Sequence, residues 1–207
     1  MRGFRGHLQS DDRPMIAGHF GLAAAVKSRE QQTPLWALML ACQWLDLVFV
    51  PLFLLGVEHI SPVPGTNGDY GQVIINADYT HSLIGALALS AVFGWASGYR
   101  WGARSGAVLA GVAFSHWVLD LIVHRRDLPI LPGNPGQLSR VGFGLWKSPA
   151  ASIAVELGLV LVGSYCYWRA AVAVARSSGQ RITAAQMASG LILSSGLMTL
   201  ALDVLGY

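Results

Sequence analysis

Five long apolar blocks occupy most of the chain and leave few folds open to it. Each reaches roughly the 20 residues that a helix needs to cross a hydrocarbon core of about 30 Å. Only 12% of the residues are charged, which is about half the fraction usual in soluble domains. The pattern predicts an all-α fold, a polytopic transmembrane helix bundle of about five full spans that forms one integral membrane domain, residues 1–207. The predicted spans are residues 34–57, 77–99, 105–123, 149–168 or beyond, and 182–207.

A shorter apolar segment, residues 15–26, precedes the first block. At a rise of about 1.5 Å per residue it is half a span long, which is compatible with an interfacial helix, a short tilted span or a half-helix packed on the first span. A secretory signal peptide is disfavoured, because Asp11 and Asp12 precede the segment and Lys27 follows it without an Ala-x-Ala site. We therefore predict a short N-terminal apolar helix that belongs to the mature fold.

The basic residues predict which ends of the spans share a side of the membrane. Three groups fall on one side, expected to be the cytoplasm: Lys27 and Arg29, Arg100 and Arg104, and Arg169, Arg176 and Arg181. Of the two loops on the other side, residues 58–76 contain no Lys or Arg, whereas residues 124–148 contain several. Both loops are rich in Gly and Pro and lack helical periodicity, so we expect them to cap a site, with plain connection as the alternative.

Composition disfavours two further classes of protein. The formal net charge is only +3 and the Lys and Arg residues are scattered, so no nucleic-acid partner is expected. Cys42 and Cys166 lie in separate apolar blocks without a C-x-x-C spacing. We therefore expect two free thiols rather than a disulfide or a zinc ribbon.

One apolar block carries three ionisable residues at intervals of four: His116, Asp120 and His124. Residues four apart lie on the same face of a helix, so two imidazoles and a carboxylate point toward a common region. Ionisable residues inside a membrane are costly and are candidates for function. The arrangement is typical of a metal site, whereas each residue taken alone is also compatible with a hydrogen-bonded packing role.

Counting from the ends of the spans places the other ionisable residues of the spans in the same outer half of the membrane. They are Asp46, Asp78, His81, Glu156 and Asp203. Imidazole and carboxylate ligands together suit zinc, manganese or iron, and zinc is the first choice for a hydrolytic site. The residues predicted to donate to one or two metals are Asp46, His81, His116, Asp120 and His124. His19 joins them only if the segment 15–26 reaches the middle of the membrane.

Several nearby residues are expected to assist. Glu156 is interpreted as a general base or as a partner that fixes the tautomer of a ligand histidine, with structural pairing as the alternative. Arg125 and Arg126 are expected to hold an anionic group, such as a phosphate or carboxylate, or else to cap the helix end. His124 is also compatible with phosphate contacts beside these arginines. Glu58 and His59 are interpreted as a helix-end pair.

Four short motifs carry a resemblance to known proteins. They are Gly18-His19-Phe20-Gly21, Gln43-Trp44-Leu45-Asp46, Thr80-His81-Ser82, and Ser115-His116-Trp117-Val118-Leu119-Asp120 with the following His124-Arg125 and Asp127-Leu128-Pro129. They resemble a group of uncharacterised bacterial multi-pass proteins, which is similar to the predicted membrane-bound metal-dependent hydrolase family. The resemblance covers residues 15–131 and implies metal binding by His19, Asp46, His81, His116 and Asp120. Where the wider family has a His-Arg pair shortly before Thr-His-Ser, this chain has none, and Arg125 or Arg126 would substitute for its phosphate contact.

Two classes of function compete for this pattern. The first is a membrane-embedded metal-dependent hydrolase of the bacterial inner membrane, which cleaves an ester or phosphoester of a lipid or another anionic amphipathic substrate at the outer leaflet. The second is a non-catalytic membrane protein: a small carrier, a proton or metal relay, or an accessory or haem-binding subunit. A continuous transport path is disfavoured, because the cytoplasmic halves of the spans contain almost no ionisable residues.

Overall fold

Six α-helices and a β-hairpin form the part of the chain that the computed structural model describes, residues 17–67 and 72–205. The helices are α1 (Ala17–Lys27), α2 (Leu35–Cys42), α3 (Trp44–Leu54), α4 (Leu83–Val123), α5 (Pro149–Ser177) and α6 (Ile182–Leu205). The hairpin pairs β1 (His59–Pro62) with β2 (Val73–Asn76). Some residues used in the sequence predictions lie outside the described ranges, namely Asp11, Asp12, Met15, Ile16 and Tyr207.

Three helices, α4, α5 and α6, are long and apolar enough to cross a membrane. The helices α2 and α3 meet this criterion only as a pair, bent by 47°, and would bring the number to four. The predicted helical membrane architecture is therefore present, but five full spans are more than the structure shows. The difference arises because residues 77–99 and 105–123, predicted as two spans, share the single helix α4.

The 41-residue helix α4 consists of two antiparallel arms rather than one straight rod. Gly102 interrupts it with φ 84° and ψ 159°, a conformation that glycine tolerates because it lacks a Cβ atom. Gly94 and Gly106 lie against each other, since a methyl group on Gly94 would sit 2.6 Å from the Gly106 carbonyl oxygen. In a straight helix these two residues would be about 18 Å apart. The chain therefore reverses at Gly102 and returns beside itself.

The first predicted span, residues 34–57, is broken. α2 ends at Cys42 and α3 begins at Trp44, with Gln43 at φ −110° and ψ 9° between them. In an unbroken helix the Cys42 carbonyl would accept the N–H of Asp46. Here that carbonyl accepts the ring Nδ1–H of His116 at 2.7 Å. The break therefore directs a main-chain acceptor toward α4 and places Asp46 in the first turn of a new helix.

The β-hairpin is an element that the all-α prediction misses. Its strands are antiparallel, with Ile60 opposite Ile75. Burial alternates along β2, and Val73 and Ile75 face a hydrophobic cluster that includes Phe49 of α3 and Trp146. Four residues per strand are too few to stand out from the surrounding loop, so packing on the helices decides this structure.

The two long loops pack together over one end of the bundle. Arg140 forms a two-pronged ion pair with Asp78, at 2.6 and 2.9 Å, and this hydrogen bonding raises the pKa of Arg140. The Asp127 carboxylate accepts the backbone N–H of Ile75 at 3.2 Å. Leu128 and Val141 form an isolated antiparallel bridge within the second loop. The loops thus form one cap instead of two independent connections.

The predicted basic groups gather at the opposite end. Arg104 donates to the buried carboxylate of Glu30 at 3.1 Å, which links the tip of α4 to the connection between α1 and α2. Lys27 and Arg181 line the same cavity of about 320 Å³. Arg104 contacts the segment that follows Lys27, and Lys27 lines one cavity with Arg181. Members of all three basic groups therefore lie at one end of the bundle, as the sequence predicts.

The short helix α1 lies inside the bundle. It packs mainly against α5 and also contacts α2, α4 and α6. Its backbone approaches α5 closely at Gly21 and Gly163, where a methyl group on either glycine would overlap the main chain of the other helix. α1 is therefore a buried half-helix, and its main partner is the fourth predicted span rather than the first.

The contact between α1 and α5 predicts unequal effects for two glycine substitutions in α5. Gly163→Ala should destabilise the protein by about 1–3 kcal/mol, because the new methyl group meets the main chain of α1. Gly158→Ala is the matched control, since a Cβ atom there meets nothing within 4 Å. Thermal unfolding in detergent measures both, and equal stability of the two variants would contradict the close contact.

Candidate metal centre

Four side chains from three parts of the chain converge beneath the loop cap, and we call them the His–Asp cluster. Asp46 comes from the first turn of α3, His81 from the turn before α4, and His116 and Asp120 from the second arm of α4. His81 Nε2 lies 3.4 Å from Asp46 Oδ1 and 3.5 Å from Asp120 Oδ2. His116 Nε2 lies 3.5 and 3.2 Å from the same two oxygens. The two nitrogens are 3.4 Å apart.

The dimensions of the cluster match a small metal ion. All five separations that involve a nitrogen fall between 3.2 and 3.5 Å. Zinc binds imidazole nitrogen and carboxylate oxygen at about 2.0–2.2 Å in tetrahedral sites, so two of its ligand atoms are about 3.3–3.6 Å apart. These side chains therefore need little movement to surround an ion. The predicted convergence of Asp46, His81, His116 and Asp120 is present in the structure.

His19 reaches the same place from α1. Its ring stacks on that of His116, with centroids 3.9 Å apart and planes 7° from parallel. Its Nε2 lies 3.4 Å from Asp120 Oδ1, whereas Asp120 Oδ2 faces the other histidines. Two groups of metal-compatible donor atoms result, His19 with His116 and Asp120, and Asp46 with His81 and His116. The buried half-helix thus brings His19 to the cluster.

The tautomer of His116 follows from its main-chain partner. A carbonyl oxygen only accepts hydrogen bonds, so the bond from His116 to the Cys42 carbonyl requires a hydrogen on Nδ1. In the neutral ring the hydrogen on Nδ1 leaves a lone pair on Nε2, which faces the carboxylates of Asp46 and Asp120. Facing acceptors repel in a buried site unless a cation or a proton lies between them. A cation or a proton at the centre of the cluster would therefore stabilise it.

Access to the cluster is uneven. The Asp46 side chain is 25% exposed, whereas those of His19, His81, His116 and Asp120 are 2–6% exposed. The ring of Phe49 closes part of the site by an edge-on contact with His81, at 5.9 Å between centroids. The cluster is therefore most accessible on the side of Asp46.

Glu58 and Thr80 are neighbours of the cluster that the sequence analysis did not assign to it. Both are buried, and the Thr80 hydroxyl lies 2.9 Å from His81 Nδ1 and 2.8 Å from Glu58 Oε2. The other oxygen, Glu58 Oε1, accepts the backbone N–H groups of Tyr79 and Thr80 at 2.8 and 2.9 Å. Thr80 could have been found from its place in the Thr-His-Ser motif. Glu58 could not, because it is 22 residues away from Thr80 and carries no spacing signal.

His124 lies outside the cluster. α4 ends at Val123, so the four-residue spacing no longer sets where the ring of His124 points. Its Nδ1 lies 3.1 Å from Asp127 Oδ1, and its ring packs on Trp146 at 4.4 Å between centroids. Burial alone would lower the pKa of His124, but the hydrogen bond to Asp127 and the charge of Asp120 outweigh it and raise that pKa. The structure thus separates His124 from the other two members of the predicted triplet.

The residues predicted to assist lie on α5 and on the second long loop. Glu156 is fully buried in α5. Arg125 is partly buried, while Arg126 is exposed and lines a cavity of about 590 Å³ with Arg140. Asp78 pairs with Arg140 in the loop cap, and His59 is exposed on β1. The roles of Glu156, Arg125 and Arg126 in chemistry stay predictions.

The chain matches no protein-family model, no curated protein and no solved structure. The similarity to membrane-bound metal-dependent hydrolases therefore stays a prediction from the motifs. What is known of the site comes from the side chains themselves.

Because His81 belongs to the cluster and His124 does not, we predict that their substitution has different effects on metal binding. His81→Ala should lower the affinity for Co²⁺ strongly, because it removes one nitrogen from the cluster. His124→Ala should leave that affinity near the wild-type value, because the ring is engaged with Asp127. The visible absorption of Co²⁺ titrated into metal-free protein measures both, and equal losses would show that His124 is also a ligand.

Proposed function

We propose that this protein is a membrane-embedded hydrolase that uses a divalent metal ion, with zinc preferred over manganese or iron. One observation carries the proposal: two imidazole nitrogens and two carboxylate oxygens converge at 3.2–3.5 Å in a buried site. Mixed nitrogen and oxygen donors at these separations suit zinc, and they suit manganese and iron as well. The expected reaction is hydrolysis of an ester or phosphoester.

We assign each residue of the cluster a role in such a reaction. His81, His116 and Asp120 would hold the ion, and His19 would join through the second oxygen of Asp120. When bound, the ion supplies Lewis-acid activation of the scissile bond and of the attacking water. Asp46 faces the open side, so it is the carboxylate placed to take a proton from that water. The loop cap and the buried surroundings limit access of bulk water to the site.

The surface beside the open side favours an amphipathic substrate. Val50 lies one turn after Asp46 on the same face of α3, followed by Phe53 and Leu54. All three are exposed, and their face would contact lipid in a membrane. A substrate with an apolar tail could therefore lie along α3 with its polar bond at Asp46. Arg126, on the loop side, is the exposed cation that we assign to an anionic head group.

The proposal includes a membrane arrangement. Each arm of α4 would cross the bilayer, the bent pair α2 and α3 would form one crossing, and α5 and α6 would complete five. The basic end would face the cytoplasm and the cluster would lie in the outer half of a bacterial inner membrane. The support is the gathering of basic residues at the end opposite the loop cap.

The non-catalytic alternatives gain less support. Bis-histidine haem binding by His81 and His116 is disfavoured, because their Nε2 atoms are 3.4 Å apart with two carboxylates beside them, which leaves no slot for a macrocycle. A relay through the membrane needs ionisable groups at both depths. The ionisable part of the site is instead confined to the end near the loop cap.

Metal content is the first test of this proposal. Protein purified in detergent should contain zinc, manganese or iron, whereas His116→Ala and Asp120→Ala should lose the ion. His59→Ala is the matched control, because this histidine is exposed on β1 and outside the cluster. Elemental analysis measures the content. Removal of the ion by a chelator should also lower the thermal stability, by about 2.7 kcal/mol if the ion was at 100 times its Kd. A folded wild-type protein without any of these metals would rule out the proposal.

The second test measures which class of substrate the protein hydrolyses. The metal-loaded protein should hydrolyse long-chain esters or phosphoesters in mixed micelles faster than short-chain soluble analogues. Asp46→Asn should lower kcat by about 100-fold or more, because an amide cannot accept the proton. The comparison uses initial rates, with His59→Ala as control. Equal kcat for Asp46→Asn and wild type would exclude the role assigned to Asp46.

A further inference from the structure

Hydrogen bonds connect Glu58, Thr80 and His81 in a row, and the donor and acceptor of each bond can be assigned. The carboxylate of Glu58 only accepts hydrogen bonds, and its Oε1 is engaged by two backbone N–H groups. Its Oε2 therefore accepts the single hydrogen of the Thr80 hydroxyl. With that hydrogen given to Glu58, the Thr80 oxygen can only accept from the neighbouring ring nitrogen, His81 Nδ1.

The direction of this row decides which nitrogen of His81 carries the hydrogen. We propose that Glu58 and Thr80 are positioning residues that hold neutral His81 in the Nδ1–H tautomer and so leave Nε2 free to bind a metal. The inference rests on the proposed function, since the choice of tautomer matters there only if an ion binds. The tautomer itself can be measured without any metal.

The row is shielded from competing water. Glu58 is fully buried and Thr80 and His81 are 1% and 3% exposed. The indole Nε1 of Trp117 donates to the His81 carbonyl at 2.8 Å and fixes the main chain of the histidine. The ring therefore has little freedom to exchange Thr80 for another partner, and a change in the row should act directly on His81.

Glu58→Gln should reverse the row while keeping its shape. The two backbone N–H groups require the amide oxygen at the position of Oε1, so the amide NH₂ must face Thr80. The Thr80 oxygen then accepts from the amide and donates its own hydrogen to His81 Nδ1. This arrangement puts the ring hydrogen on Nε2, the nitrogen that faces Asp46, Asp120 and His116.

Two Thr80 variants provide a matched pair. Thr80→Val keeps the size of the side chain but removes the acceptor for Nδ1–H, so the carboxylates of Asp46 and Asp120 beside Nε2 should favour the Nε2–H form. Thr80→Ser keeps the hydroxyl and should behave as wild type. This pair decides the question even if Glu58→Gln fails to fold.

The experiment reads the tautomer in metal-free, full-length protein in detergent, at a pH where imidazoles are neutral. Ring ¹⁵N chemical shifts of labelled histidine distinguish a protonated from an unprotonated nitrogen, and the His81 signals are those lost in His81→Asn. We expect Nδ1–H in the wild type and Thr80→Ser, Nε2–H in Glu58→Gln, and a shift toward Nε2–H in Thr80→Val. An Nε2–H tautomer in the wild type, or no change in either Glu58→Gln or Thr80→Val, would overturn the proposal.

Zinc affinity, measured by competition with a chelator, gives the second readout. We expect a loss of about 10-fold for Thr80→Val, about 100-fold for Glu58→Gln, and wild-type affinity for Thr80→Ser. Undiminished zinc binding in Thr80→Val and Glu58→Gln would overturn the positioning role but leave the metal site intact. If the wild type binds no zinc while the tautomers respond as expected, the proposed hydrolase fails and the tautomer assignment holds.

Discussion

One hydrogen bond, from His116 Nδ1 to the Cys42 carbonyl, connects the fold of this protein to its candidate site. In a bilayer each main-chain polar group needs a partner inside the protein, so a helix can break at membrane depth only where its freed groups are satisfied. The imidazole satisfies the carbonyl at the break between α2 and α3. The same bond places the ring hydrogen on Nδ1 and leaves Nε2 as an acceptor. A single interaction thus stabilises the break between α2 and α3 and orients an imidazole nitrogen that could bind a metal ion.

Close packing of small residues holds the helices around the cluster together. Lipid tails are as apolar as the helices, so helix association in a membrane relies on packing and hydrogen bonds more than on apolar burial. Gly94 against Gly106 holds the two arms of α4 together, and Gly21 against Gly163 draws α1 into the bundle. His19 lies two residues before Gly21 on α1, so the contact with α5 helps to hold the half-helix on which the His19 ring stacks against His116.

The sequence predicts the members of the candidate site better than the fold around it. Helical spacing places His116 and Asp120 together, and Asp46 and His81 join them from other parts of the chain. Depth alone does not select the members, because Asp78 was counted to the same half of the membrane and pairs with Arg140 instead. Helical spacing fails for His124, since α4 ends one residue earlier and Asp127 engages the ring. The break at Gln43 is also invisible in the sequence, because neither Gly nor Pro marks it and the competing bond comes from a residue 74 positions away. The contact of Glu58 with Thr80 is equally non-local.

Charge balance limits how many ions the cluster can hold. Asp46 and Asp120 contribute two negative charges, and neutral histidines contribute none, so one divalent ion makes the buried site neutral. A second divalent ion would leave two uncompensated positive charges in a medium where unpaired charge is expensive. His19 fits a supporting role in a one-ion site, because its buried Nδ1 has no hydrogen-bond partner among the described residues, so no acceptor on that side holds the ring hydrogen away from Nε2. The rigid pair His81 and His116 would set the geometry, and His19 would adapt to the ion that they hold.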